Sequence, residues 1–124
     1  QVAGGLELIV GLIRDPQFGP CVMFGLGGVL TELLGDRVFA AAPITHADAL
    51  ALISRLKNQK LLNGFRGAKP LDRFTMADVL VRISALGVNF PRVIEVDINP
   101  LIVVDGQPVA VDAAIILKED EQDD

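Results

Sequence analysis

The sequence contains no tryptophan, no tyrosine, one cysteine and one histidine. A single cysteine cannot close an internal disulfide or build a cysteine-rich zinc site, and a lone histidine cannot supply a metal cluster. Any metal would therefore be held by oxygen. Positive charge is scarce as well: eleven Lys and Arg against sixteen Asp and Glu leave a formal net charge of −5, and the basic residues are spread singly along the chain. That balance opposes a phosphate backbone, so nucleic acid is not an expected partner. No apolar run approaches the roughly 20 residues of a membrane span, and no leader pattern opens the chain. A soluble, cytoplasmic protein with no membrane partner is the expectation.

What is present suits a folded domain. The 124 residues, 51% hydrophobic and 22% charged, can fill one core and do not have the composition of a disordered chain. The chain opens at Gln1 rather than Met and enters at once a strand-like run. It reads as a domain excised from a longer chain, with residues 1–117 folded and residues 118–124 an acidic tail.

Residues 6–14 are apolar and end in the turn chemistry of Asp15-Pro16 and Gly19-Pro20, which predicts a strand, a loop and a second strand over 21–24. Two further short strands are expected over 29–34 and 38–42, the first of which could instead be helical. Thr45 with Asp48 three residues on is a capping-box pattern, and Ala49, Leu52, Ile53 and Leu56 then share one helical face. A second helix starts near Asp72, stripes Met76, Val79, Leu80, Ile83 and Leu86, and stops at Gly87. The stretch 93–117 reads as strand, turn, strand. The fold class expected is α+β, a mostly antiparallel sheet with helices packed on one face.

Chemistry concentrates in Glu95-Val96-Asp97-Ile98-Asn99-Pro100-Leu101. Strand side chains alternate, so Ile94, Val96 and Ile98 are expected in the core while Glu95, Asp97 and Asn99 share the other face. Asp105-Gly106 is a two-residue hairpin signal that pairs Val104 with Gln107 and, counting outward, Asn99 with Asp112. Directly opposed residues bring an amide oxygen and a carboxylate within reach of one divalent cation. Pro108 falls where no ladder donor is needed, but Pro100 falls where one is, so a bulge or strand end is expected there. The rival account of these residues is a solvated sheet face. Against it, acids at alternate strand positions repel and Asp and Asn are poor strand formers, so a cation explains them better. Hard oxygen donors point to magnesium, which completes its shell with water and nucleotide phosphates.

The string Asp97-Ile98-Asn99-Pro100-Leu101, with Asp112 after it, resembles the magnesium segment of succinyl-CoA synthetase β chains and of the ADP-forming acetyl-CoA synthetases. Gly5-Leu6-Glu7-Leu8-Ile9-Val10-Gly11, Asp15-Pro16-Gln17-Phe18-Gly19-Pro20, Met23-Phe24-Gly25-Leu26-Gly27-Gly28 and Gly64-Phe65-Arg66-Gly67 agree with the latter group. The likeness runs over nearly the whole chain. It implies the carboxy-terminal half of an ATP-grasp domain in an NDP-forming acyl-CoA synthetase, with ATP or another NTP and Mg2+ as cofactors. It further implies Asn99 and Asp112 as magnesium ligands, Asp97 as the acid that meets a phosphohistidine loop, and Glu95 as a supporting acid. CoA-binding and phosphohistidine-carrying domains are the implied partners. Such enzymes interconvert acid, CoA and NTP with acyl-CoA, NDP and phosphate, and the present stretch alone is not expected to turn over.

Other candidates are weaker. Gly27 and Gly28 could cradle phosphate, but the dinucleotide and P-loop glycine patterns are incomplete, and a tight loop with close backbone approach serves as well. Arg66 could contact phosphate or stand as a solvated loop arginine. Glu7 and Glu32 match positions of the family that the chain resembles, but a strand-face carboxylate accounts for each as well; Cys21 fits a buried inert thiol, and His46 an exposed position at a helix amino end, matching no phosphorylated histidine of the family. From another functional class, the alternative is a non-catalytic interaction or regulatory module, for instance fused to an acetyltransferase. Intact Asp97, Asn99 and Asp112 favour the enzyme.

Overall fold

The structure, a computed structural model, describes residues 5–28 and 35–119. The strand expected over 29–34 and most of the acidic tail lie outside the described residues. Strands β1 (Glu7–Asp15), β2 (Gly19–Leu26) and β3 (Arg37–Ala41) lead into helices α1 (His46–Ser54) and α2 (Gln59–Leu62), a 3-10 turn at Phe65–Gly67, and the long helix α3 (Arg73–Asn89). Strands β4 (Val93–Val104), β5 (Gln107–Ala110) and β6 (Ala113–Leu117) follow. The sheet runs in the order β3-β2-β1-β4-β5, with β6 beside the first half of β4, and each pair is antiparallel. The expected α+β class is what the chain adopts.

Alternation sets the two faces. Leu8, Val10 and Leu12 of β1, Val22, Phe24 and Leu26 of β2, and Val96, Ile98, Leu101 and Val103 of β4 are buried toward the helices. Ala49, Leu52, Ile53 and Leu56 of the α1 region and Met76, Ala77, Leu80 and Ile83 of α3 meet them, and Val79 is half-buried against the same core. Thr45 caps α1 as expected: its hydroxyl accepts from the Asp48 amide at 3.0 Å, and the Asp48 carboxylate accepts from the Thr45 amide at 2.9 Å. Asp72 caps α3, accepting from the amide and hydroxyl of Thr75 and from Gln107 Nε2. Those bonds hold its carboxyl below the usual value.

Two details correct the sequence reading. Gly87 does not end α3; it lies inside the helix and is buried, and a Cβ there would stand 2.8 Å from Leu12 Cδ1 and 2.9 Å from Pro20 Cβ. The glycine is a point of close helix-to-sheet approach. Ile94 is 41% exposed rather than core, because the β4–β6 register shifts between Val93 and Glu95 and turns Val93 inward instead.

Polar clamps finish the frame. Arg14 donates through Nε to the Val93 carbonyl at 2.7 Å and through Nη2 to the carbonyls of Gly87 and Phe90, so one guanidinium ties β1 to the end of α3 and the start of β4. Asp36, only 3% exposed, accepts from the amides of Lys57 and Asn58 and from Asn58 Nδ2. Burial alone would raise its carboxyl, but these three donors, with the Lys57 charge, hold it below its ordinary value. Among the described residues no helix is long and apolar enough to cross a membrane.

Candidate functional site

The candidate site lies on the sheet face away from the helices and is built on β4. The turn at Asp105-Gly106 takes positive φ at both residues, 51° and 80°, as a tight hairpin turn demands. Val104 pairs with Gln107 and Val103 with Pro108, and further along Ile98 pairs with Ala113 and Asp97 with Ala114. Residue numbers in every pair sum alike, so Asn99 lies opposite Asp112. Its amide donates to the Asp112 carbonyl at 3.1 Å, while Val111 N donates to the Pro100 carbonyl at 3.0 Å. The donor that Pro100 lacks is accommodated by ending β5 at Ala110 and starting β6 at Ala113, so that the ladder loosens opposite it. On the other side, the β1–β4 register shifts between Leu8 and Val10, opposite Asn99 and Pro100. That bulge reverses the inward set of β4 from Val96 and Ile98 to Leu101 and Val103.

Asp97, Asn99 and Asp112 are exposed and Glu95 is half-buried, all on the outer face by alternation. Among the described residues, none of these four side chains has a hydrogen-bond or ion-pair partner. An oxygen-bearing row with no internal cation suits an external one. No three His, Cys, Asp or Glu side chains gather among the described residues, so any cation here would draw on an amide and a carboxylate rather than an acidic cage. Magnesium, which needs only one or two protein carboxylates, fits that donor set. Across the sheet Asp97 stands between Gly11 of β1 and Ala114 of β6, and Met23 folds over Gly11, 3.2 Å from where a Cβ would be.

The glycine run behaves differently from residue to residue. Gly25 sits against the Asp36 carbonyl and Arg37, and Gly27 against Leu8 and Ile9. The Gly27 amide donates to the Glu7 carbonyl at 2.8 Å, so that donor is already used. Gly28 is exposed at φ +63°, and the Glu7 carboxylate lies beside it, 2.9 Å from where a Cβ would be. Glu7 thus borders the glycine turn, a placement that a strand-face reading does not reveal. Arg66 is held elsewhere, in the 3-10 turn, with its guanidinium 5.0 Å from the Phe65 ring centre. His46 is half-buried at the start of α1, its Nε2 3.1 Å from the Phe74 carbonyl and its ring against Phe74. It is not joined to the oxygen row. Cys21 is half-buried, and burial with the nearby Asp15 charge raises its thiol pKa, which disfavours the reactive thiolate.

An ATP-grasp domain profile matches residues 1–117. The chain belongs to the ATP-grasp family. This ATP-grasp chain is 49% identical over 113 residues to the β subunit of acetate–CoA ligase (ADP-forming) I from Pyrococcus furiosus, covering 91% of the chain and 49% of that subunit. It is 42% identical over 105 residues to 4-hydroxybutyrate–CoA ligase (ADP-forming) from Nitrosopumilus maritimus, covering 85% of the chain and 15% of that protein. A solved structure of the dinucleotide-forming acetyl-coenzyme A synthetase 1 of Ca. Korarchaeum cryptofilum superimposes with a TM-score of 0.86 at 48% identity, over 94% of this chain and 55% of that one. That structure was obtained in complex with coenzyme A and Mg-AMPPCP, with its phosphohistidine segment pointing towards the nucleotide binding site. The ATP-grasp chain therefore spans about half the length of the Pyrococcus subunit it matches. The family and fold expected from its motifs are the ones found.

Proposed function

We propose that this chain is the nucleotide- and magnesium-binding part of an NDP-forming acyl-CoA synthetase, in which acid, CoA and NTP are interconverted with acyl-CoA, NDP and phosphate through a phosphorylated histidine. The observation that carries the reading is the opposition of Asn99 and Asp112 on an outer face whose oxygen-bearing side chains lack partners among the described residues. The names of the relatives support the reaction class.

In this reading the Asn99 amide oxygen and the Asp112 carboxylate hold the ion, which when bound supplies charge neutralisation to the phosphates. Asp97, two residues along the same face, accepts a hydrogen bond from the imidazole of an incoming histidine and orients its nitrogen. Phosphoryl transfer then exchanges one P–O bond to the nucleotide for one P–N bond to that histidine. Such transfer depends mostly on positioning and charge. Glu95 adds negative charge that helps hold the N–H of the neutral histidine toward Asp97 and leaves its other nitrogen free to attack phosphorus, and Gly28 offers an exposed backbone at the rim. CoA-binding and phosphohistidine-carrying domains, within the same protein or a partner subunit, complete the enzyme, which we place in the cytoplasm.

The test is Asp112→Asn in the complete enzyme, assayed with excess nucleotide across a magnesium titration. Turnover should fall roughly 100-fold or more with an unchanged melting temperature, because the side chain is exposed and removes charge rather than packing. Wild-type turnover would refute the metal role.

A further inference from the structure

Although basic residues are few, residues 55–69 carry five of them and no acidic one. Two are already engaged: Arg55 donates to the Phe39 carbonyl, and the Lys57 charge acts on the Asp36 carboxylate, helping to hold it below its ordinary value. Lys60, Arg66 and Lys69 have no hydrogen-bond or ion-pair partner among the described residues. In a chain of net charge −5 this is a local reversal of sign.

Arg66 is the best defined of the three. Its backbone is left-handed (φ 53°, ψ 42°), between Gly64 at φ 141° and Gly67 at φ 76°. A non-glycine residue in that region is strained and persists where the surroundings hold it. They do so here. Ala68 N donates to the Phe65 carbonyl at 3.0 Å, Leu71 N to the Leu62 carbonyl at 2.7 Å, and Asp72 N to the Gly106 carbonyl at 2.7 Å. The Pro70 carbonyl packs so closely on Gly106 that a Cβ there would lie at 2.6 Å. The Phe65 ring then supports the guanidinium from one side. Beside it, Phe65, Leu61, Ala68 and Lys69 line a small apolar crevice floored by Val103.

We infer that Arg66, with Lys69, forms an anion subsite for the phosphate of a ligand whose apolar part rests in this crevice. A planar guanidinium, stacked and preset, recognises a phosphate by two parallel hydrogen bonds with little further ordering. The oxygen row on β4 lies several residues back along that strand from the Gly106 turn, so the subsite is a second point of attachment and not part of the cation site. The inference takes its ligand class from the proposed function, in which nucleotide and CoA both carry phosphate.

The experiment is equilibrium titration of the complete enzyme and its Arg66→Gly and Arg66→Lys variants with ATP, inorganic pyrophosphate, CoA and dephospho-CoA. Glycine suits a left-handed backbone, so Arg66→Gly should melt at or above the wild-type temperature while binding one phosphorylated ligand about tenfold more weakly. Parallel losses for ATP and pyrophosphate assign the subsite to the nucleotide. A loss for CoA but not dephospho-CoA assigns it to the phosphomonoester of CoA. Arg66→Lys should recover only part of the affinity, because an ammonium lacks the planar fork. Unchanged affinity for all four ligands in Arg66→Gly would overturn the inference, and so would a lowered melt, which would make the stacked arginine structural. Asp112→Asn judges the metal reading separately, since its failure would leave these titrations intact.

Discussion

The amide of Asn99 and the carbonyl of Asp112 are joined by a 3.1 Å hydrogen bond between β4 and the short link from β5 to β6. Two side chains held this way should serve a single ion. Losing either one should then do most of the damage. We expect the Asn99→Ala and Asp112→Asn double variant of the complete enzyme to be little slower than the worse single variant, as for groups that act as a unit. Turnover costs that simply multiply would show that the two residues act separately.

Gly87→Ala sets two effects against each other. Alanine is favoured over glycine inside a helix by about 1 kcal/mol. Its methyl, however, would enter at 2.8 Å from Leu12 and 2.9 Å from the rigid Pro20 ring. Overpacking of that kind costs typically about 1–3 kcal/mol, so the clash should win and the melting temperature should fall. A raised melting temperature would mean that α3 is free to lift from the sheet.

Asp36→Asn should destabilise the fold by roughly 1–3 kcal/mol near neutral pH, because an amide cannot accept from three donors as a carboxylate does. The pH dependence has a defined sign. The folded-state value is depressed below the ordinary 3.8, so the contribution is full above that pH and is lost as pH falls through the folded value. Denaturant melts of wild type and variant should therefore converge as the pH is taken down from about 4 through the depressed folded-state value. A constant difference over that range would contradict the hydrogen-bonded carboxylate.

Much of the fold could be read from local chemistry. Asp105-Gly106 specified the turn, and from it the pairing of Asn99 with Asp112 follows by counting. Thr45 and Asp48 specified where α1 begins. What escaped were features that depend on a neighbour distant in the sequence. Gly87 looks like a helix stop because nothing local reveals Leu12 and Pro20 beneath it. Ile94 looks like core because a bulge is invisible to strict alternation. Arg14 gives no sign of the three carbonyls it gathers from residues 73 to 79 positions away. Within the candidate site, the oxygen row was legible because its period of two survives from Glu95 to Asn99. The use of the Gly27 amide by Glu7 was not, since any glycine run leaves its donors unassigned.

Strand β6 carries a consequence for handling the molecule. All five of its residues, Ala113 to Leu117, are exposed, and none is charged. Sheet margins are normally kept apart in solution by lysine, proline or a twist, and this one has only Asp112 and Lys118 at its ends. As a 124-residue piece, the domain should be a colloidally fragile protein, soluble when dilute and prone to strand-to-strand association when concentrated. Its ΔG of unfolding would then say little about its shelf life.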